Sequence, residues 1–179
     1  MMMGLGSWAR VFVADLLCGA GGSSEGCEEA LEELDLEMEL VCVNHWDVAI
    51  ETHSKNHPKA RHYLQDIATV RPHILVPEGR LDLLMASPTC THHSVARGGK
   101  PTSDQQRSDP WHIITWFTEL RVDCAVIENV WEFVKWGPVD PATSRPIKDR
   151  AGEYFKAWVN TIWALGATSI EWRKLNAAD

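Results

Sequence analysis

Two short β-branched runs, RVFVADLL (10–17) and ELVCVN (39–44), enclose SSEGCEEALEELDL (23–36), where Ala30, Leu31 and Leu34 recur at helical spacing among glutamates. A strand, a helix and a second strand in that order predict parallel pairing, because strands joined through a crossover helix run the same way. The alternation continues down the chain. DVAIETHSKN (47–56) is helical in pattern, HYLQDI (62–67) is a short strand candidate, LDLLMA (81–86) is an apolar run, and PWHIITWFTELR (110–121) is a helix with Asp109 as its N-cap. CAVIEN (124–129) predicts a strand, AGEYFKAWVNTIWALG (151–166) a helix stopped by Gly166, and TSIEWRKL (168–175) one more strand. The expected fold class is α/β: a doubly wound, mostly parallel sheet with helices on both faces and ligand sites beyond the carboxyl ends of its strands.

With 179 residues, 45% of them hydrophobic, the chain is long enough for one substantial core, and a single domain over 1–179 is expected. No run approaches the roughly 20 apolar residues of a membrane span, and MMMGLGSWARVFVADLL lacks a basic segment followed by a small-residue cleavage site. Five scattered cysteines, none in CxxC spacing, indicate neither a disulfide framework nor a zinc knuckle, so a reducing cytoplasm is the expected location. A net charge of -8 argues against this chain holding nucleic acid by itself, because that affinity grows with the phosphates that Lys and Arg neutralise. The nine tryptophans, five of them in the last third, read first as core packing. Two stretches, 87–108 and 137–150, are rich in Gly, Pro, Ser and charge and break the alternation as loops.

Chemistry-bearing residues gather at the predicted strand ends. DLLCGAGGSSEG (15–26) places Gly19, Gly21 and Gly22 where a tight turn lets a ligand approach the backbone; Ser24 stands where the dinucleotide fingerprint GxGxxG needs its third glycine, which disfavours NAD and FAD. A turn that merely needs glycine is the plain alternative. The second strand ends in VNHWD, where Trp46 can stack on an adenine face and His45 or Asp47 can take a ribose; the third ends at Asp66, placed for an adenine amino group. The fourth ends in ASPTC and the fifth in IENV, a thiol and a carboxylate at successive tips, as a Cys nucleophile with a Glu acid requires. Cys90 also reads as a small core residue or a metal ligand, and Glu128 as half of a structural salt bridge. A zinc site at Cys90, His92 and His93 is disfavoured, because adjacent histidines point to different sides of an extended chain.

In this order, DLLCGAGGSSEG, NHWDVAIETHSKNHP, QDI, DLLMASPTCTHHS and VIENV resemble the motifs of the cytosine-C5 DNA methyltransferases, most closely those carried by bacteriophages, over residues 10–179. The resemblance implies the Rossmann-like fold of the S-adenosylmethionine-dependent methyltransferases. It implies that Leu17, Gly19, Ala20, Gly21, Gly22, His45, Trp46, Asp66, Ile67 and Pro88 hold S-adenosylmethionine, which leaves as S-adenosylhomocysteine. It makes Cys90, after Pro88, the nucleophile, and Glu128, beside Asn129, the acid that binds the base. Ser94, Arg97, Lys100 and Arg107 become contacts to double-stranded DNA, from which the cytosine must be flipped. Cys90 should then have surroundings that favour thiolate, and Glu128 should be partly buried so that it keeps a proton. The chain departs from the family pattern at Leu17 in place of phenylalanine, at His45 in place of the acidic ribose ligand, and at Thr89 and Thr91 on either side of Cys90. It carries no further catalytic arginine motif and no target-recognition domain, so the resemblance implies a second polypeptide that supplies them, a fragment, or a remnant that binds cofactor or protein without catalysis. Methylation of tRNA cytosine is a rival activity, and the cytoplasm of a bacterial host is the expected setting.

Overall fold

The apolar residues of ARVFVADL form strand β1 (Ala9–Leu16), and α1 (Gly22–Glu32), β2 (Leu36–Asn44), α2 (Asp47–Asn56) and β3 (Arg61–Leu64) follow it in the computed structural model. The structure describes residues 9–89, 104–140, 142–143 and 145–176, and of residues 104–107 the backbone alone. A single turn of helix, α3 (Pro72–Leu75), precedes β4 (Arg80–Ala86), and α4 (Asp104–Glu119), β5 (Arg121–Ile127) and α5 (Glu153–Ala164) complete the regular elements, with short 3-10 turns at Trp131–Lys135 and Lys148–Arg150. The chain divides into two compact units, one of residues 1–87 and 119–128, the other of residues 88–118 and 129–179.

The first unit holds the whole sheet, ordered β3-β2-β1-β4-β5, with every pair parallel. Both strands of the opening strand–helix–strand unit are where the periodicity predicts them, and α2 covers the predicted residues end to end. Val13, Leu16, Val41, Val43, Leu81 and Leu84 are buried almost completely, which is why these three central strands read as near-continuous apolar runs instead of alternating ones. α1 packs on β2, and α2 on β2 and β3. β5 closes one edge of the sheet and is largely exposed, with Val126 at 56%.

In the second unit, α4 runs through Pro110, and an aromatic cluster forms around Phe133, stacked on Trp136 and meeting Phe155 and Trp158 edge-on. Trp158 donates its indole N–H to the Pro110 carbonyl at 2.7 Å, so the buried ring leaves no unsatisfied donor. α5 ends as predicted: Gly166 adopts φ 103°, and the Ala167 N–H reaches back to the Ile162 carbonyl.

Three expectations are corrected. Asp109 is not an N-cap; the helix begins at Asp104, and Asp109 is a buried residue inside it. TSIEWRKL forms no strand: residues 168–175 pair with nothing in a ladder and are mostly exposed, because β-branched and aromatic content makes a strand only where a neighbour takes up its backbone groups. The tryptophans do not all serve as core, since Trp116, Trp136 and Trp158 are buried while Trp46, Trp131, Trp163 and Trp172 are more than 40% exposed.

Candidate functional site

The parallel strands of the first unit finish level with one another. Leu16 pairs with Val43 on one side and Ala86 on the other, and Ala86 pairs with Ile127. Leu17 N–H continues the ladder to the Val43 carbonyl, Ser87 N–H to Leu16, Gln65 N–H to Asn44 and Glu128 N–H to Ala86. The segments after β1, β2, β3, β4 and β5 therefore leave the sheet along a single edge. The order reverses beside β1, the position at which open parallel sheets offer a crevice.

The loop between β1 and α1 is built from unusual backbone. Leu17 has φ 60°, a left-handed conformation that strains a branched side chain, and Gly21 has φ 110° as the N-cap of α1. Gly19 and Gly22 open outward, because a Cβ on either would meet nothing within 4 Å. Ala20 is exposed with them. At the end of β2, His45 and Trp46 are exposed, Trp46 at 59%, so an indole face is available beside the loop. Asp66 lies half-buried, its Oδ1 accepting the Ala68 N–H at 2.9 Å, and Ile67 is buried. Open space over a glycine turn, an exposed aromatic face and a carboxylate suit a nucleoside-containing ligand with a small polar tail.

Beneath the loop lies a buried polar chain. The Ser24 hydroxyl sits 2.7 Å from Asp15 Oδ2 and 3.1 Å from His53 Nε2, and His53 Nδ1 lies 2.9 Å from His62 Nε2. Burial pushes Asp15 up from 3.8 to about 6, against the Ser24 hydrogen bond and the His57 charge that hold it down. Burial, together with the charges of His57 and His62, pushes His53 down to about 4, so its ring is neutral at physiological pH. Cys18, Cys42 and His53 bring three ligand-type atoms within 4.8 Å of one another, but His53 Nε2 is engaged by Ser24, and the Cys18 thiol and burial drive the Cys42 pKa upward. That cluster is a packed core element, not an activated thiol.

Asp15 has a measurable consequence. Its folded-state pKa lies above its unfolded value, so its contribution to stability is full below about pH 4, declines as pH rises toward 6 and is level above. The displacement corresponds to about 2–3 kcal/mol. Asp15→Asn, which keeps an acceptor for Ser24, is expected to flatten the stability profile over that range in urea unfolding; an unchanged slope would show that another group causes it.

In the second unit, Asn129 Nδ2–H donates to the Pro88 carbonyl at 2.9 Å and Asn129 Oδ1 accepts the Val130 N–H, so Asn129 fixes the backbone two residues before Cys90. Pro88 is buried. Cys90, His92, His93, Ser94, Arg97 and Lys100 lie outside the described residues, as does the side chain of Arg107. Glu128 is exposed at the end of β5, which corrects the expectation of partial burial: it follows an edge strand whose residues are themselves exposed. Three residues without a predicted role touch the glycine loop: Asn44, Asn56 and His57 bond the carbonyls of Cys18, Ala20 and Gly21. All three fall within NHWDVAIETHSKNHP, but their role leaves no signature in neighbouring residues, since their partners lie 26 to 36 positions away.

A family model for C-5 cytosine-specific DNA methylases matches residues 11–179. The Type II methyltransferase M.AgeI of Thalassovita gelatinovora is 32% identical over 122 residues, which cover 65% of this chain and 27% of that protein, so the chain spans about a quarter of this curated relative. A mutant form of DNMT2 from Spodoptera frugiperda superposes with a TM-score of 0.58 at 18% identity, over 87% of this chain and 41% of that one. A candidate DNA modification methyltransferase encoded in an E. coli prophage gives 0.56 at 20% identity, over 87% and 37%. At these identities the two structures speak to the fold, that of the Rossmann-like methyltransferases. Among the described residues, no helix is long and apolar enough to cross a membrane.

Proposed function

The chain belongs to the C-5 cytosine-specific DNA methylase family, and from that membership we propose that it forms the cofactor-binding and base-attacking part of an enzyme that methylates C5 of cytosine in double-stranded DNA. The observation that carries this reading is the level row of strand ends, which sets the glycine turn, the exposed Trp46 and Glu128 along one edge of a parallel sheet.

The residues on the open side of the turn suit S-adenosylmethionine: Trp46 would hold its adenine, with Asp66 and Ile67, His45 would take its ribose, and Gly19 to Gly22 would receive its amino-acid end. The chemistry supplied by bound S-adenosylmethionine is an electrophilic methyl group on a sulfonium sulfur. The chain's own residues make cytosine able to take it. The Cys90 thiolate bonds to C6 of the flipped base while Glu128, as the acid, holds a proton at N3, and the electron pair moves to C5. On the methylated base, transfer of the C5 proton to water as the thiolate leaves would restore the C5–C6 double bond. Glu128, exposed in the free chain, becomes enclosed when the base lies against it. Ser94, Arg97, Lys100 and Arg107 contact the phosphates and the flipped nucleotide.

Residues 1–179 act as one Rossmann-like catalytic domain, with target recognition supplied by a second polypeptide. The acidic charge of -8 supports that division. Calorimetric titration with S-adenosylhomocysteine tests the cofactor site. One equivalent should bind, and Trp46→Ala should weaken binding about tenfold, the value of one stacked ring. Wild-type affinity in the Trp46→Ala chain would remove Trp46 from the site.

A further inference from the structure

The glycine turn is held by a set of side chains that the methyl-transfer chemistry does not use. Asn44 Nδ2–H donates to the Cys18 carbonyl, Asn56 Nδ2–H to the Ala20 carbonyl at 2.6 Å, and His57 to the Gly21 carbonyl at 3.2 Å. A carbonyl can only accept, so His57 Nε2 carries the hydrogen. The Gly21 carbonyl also accepts the Glu25 N–H at 2.8 Å, which joins the turn, the first turn of α1 and the end of α2 at one oxygen.

His57 is buried, at 5%, and the Cδ2–Nε2 edge of its ring faces the turn: both atoms lie 2.8 Å from the place a Cβ on Gly21 would occupy. Its Nδ1 faces Glu28 Oε2 at 3.2 Å, Glu25 Oε2 lies 3.8 Å from Nε2, and the His53 ring stands 4.8 Å away, centroid to centroid.

The consequence follows from peptide geometry. The carbonyl of one residue and the N–H of the next point in opposite directions across a trans peptide, and the described chain has no cis bond. Carbonyls 18, 20 and 21, drawn to the end of β2 and the end of α2, therefore turn the N–H groups of residues 19, 21 and 22 away from those elements, and Gly19 and Gly22 meet open space. Successive N–H groups facing one way make a seat for an anionic group, here the carboxylate of an amino-acid tail.

We infer that His57 and Asn56 are positioning residues that lock the glycine turn in the form that presents this row of N–H donors, and so set the affinity for the carboxylate end of the cofactor. The inference rests on the reading of the turn as an S-adenosylmethionine site.

The test uses the full chain with His57→Phe, which keeps an aromatic ring beside Gly21 but has no donor, His57→Gln, which restores an N–H donor, and Asn56→Ala at an exposed position. Two readouts are taken: titration with S-adenosylhomocysteine, and amide hydrogen exchange of residues 17–25 in the ligand-free chain. His57→Phe should bind about tenfold more weakly and exchange about tenfold faster, the effect of one buried hydrogen bond. His57→Gln should recover both to within about threefold, and Asn56→Ala should lose about threefold in affinity without a change in urea midpoint. Equal binding by the wild-type and His57→Phe chains would overturn the inference and leave the cofactor site standing, as would a Gln variant no better than Phe. Absence of binding by the folded wild-type chain would overturn the cofactor site instead; faster exchange in His57→Phe would then still support the lock, and unchanged exchange would overturn it.

Discussion

Replacing Cys90 by serine is expected to abolish the covalent complex that the active enzyme forms with DNA containing 5-fluorocytosine. Fluorine at C5 cannot depart as a proton does, so an adduct at C6 that has received its methyl group is trapped and migrates as a stable protein–DNA species. Formation of that species depends on the thiolate. A cysteine is a few per cent thiolate at neutral pH even when unperturbed, whereas a serine hydroxyl is almost wholly protonated, and the loss should be at least about a thousandfold. The experiment requires the enzyme with any second polypeptide it uses. A trapped complex that survives Cys90→Ser would remove Cys90 from the role, whatever the family motif around it.

The second large effect concerns the turn itself. Gly21→Ala should destabilise the first unit by about 4 kcal/mol, from the cost of a left-handed backbone in a residue with a Cβ and from overpacking against a buried ring. Gly21 has φ 110°, and the new methyl would stand 2.8 Å from two atoms of His57, a side chain held by Gly21 and Glu28. Gly19→Ala and Gly22→Ala form the contrast. Each Cβ would enter open space, so stability should stay within about 1 kcal/mol of wild type while cofactor affinity falls about tenfold. The pair of readouts separates a glycine required by the fold from glycines required by the ligand. Adding His57→Ala to Gly21→Ala should recover part of the lost stability by removing the clash. Urea unfolding measures all of these, and a Gly21→Ala chain as stable as wild type would show that the turn has another conformation.

The sheet was legible because its strands are buried on both faces: RVFVADLL, ELVCVN and LDLLMA need no alternation to be recognised, and the glutamate-rich helix between the first two is amphipathic by spacing alone. The failures have physical causes of a different kind. TSIEWRKL has strand-forming residues, yet strand formation depends on a partner, which composition does not reveal. Asp109 before Pro110 looks like a helix start, yet the helix tolerates the proline inside it and begins at Asp104.

The site divides in the same way. Gly21 was legible because a left-handed φ selects glycine, and Trp46 because it closes a strand with an exposed ring. Asn44, Asn56 and His57 were not, because an amide or imidazole aimed at a backbone carbonyl leaves no pattern in neighbouring residues. Glu128 was placed correctly at the tip of β5, but its exposure depends on β5 being an edge strand, which follows from the order of the strands and not from their sequence.

The most direct test of the account is methyl transfer from tritium-labelled S-adenosylmethionine to duplex DNA by the enzyme with its recognition component, followed by digestion and mass analysis of the nucleosides. Label recovered as 5-methyldeoxycytidine, and lost with Cys90→Ser, is the predicted result. Label on the exocyclic nitrogen of cytosine, or in tRNA while DNA stays unlabelled, would contradict it.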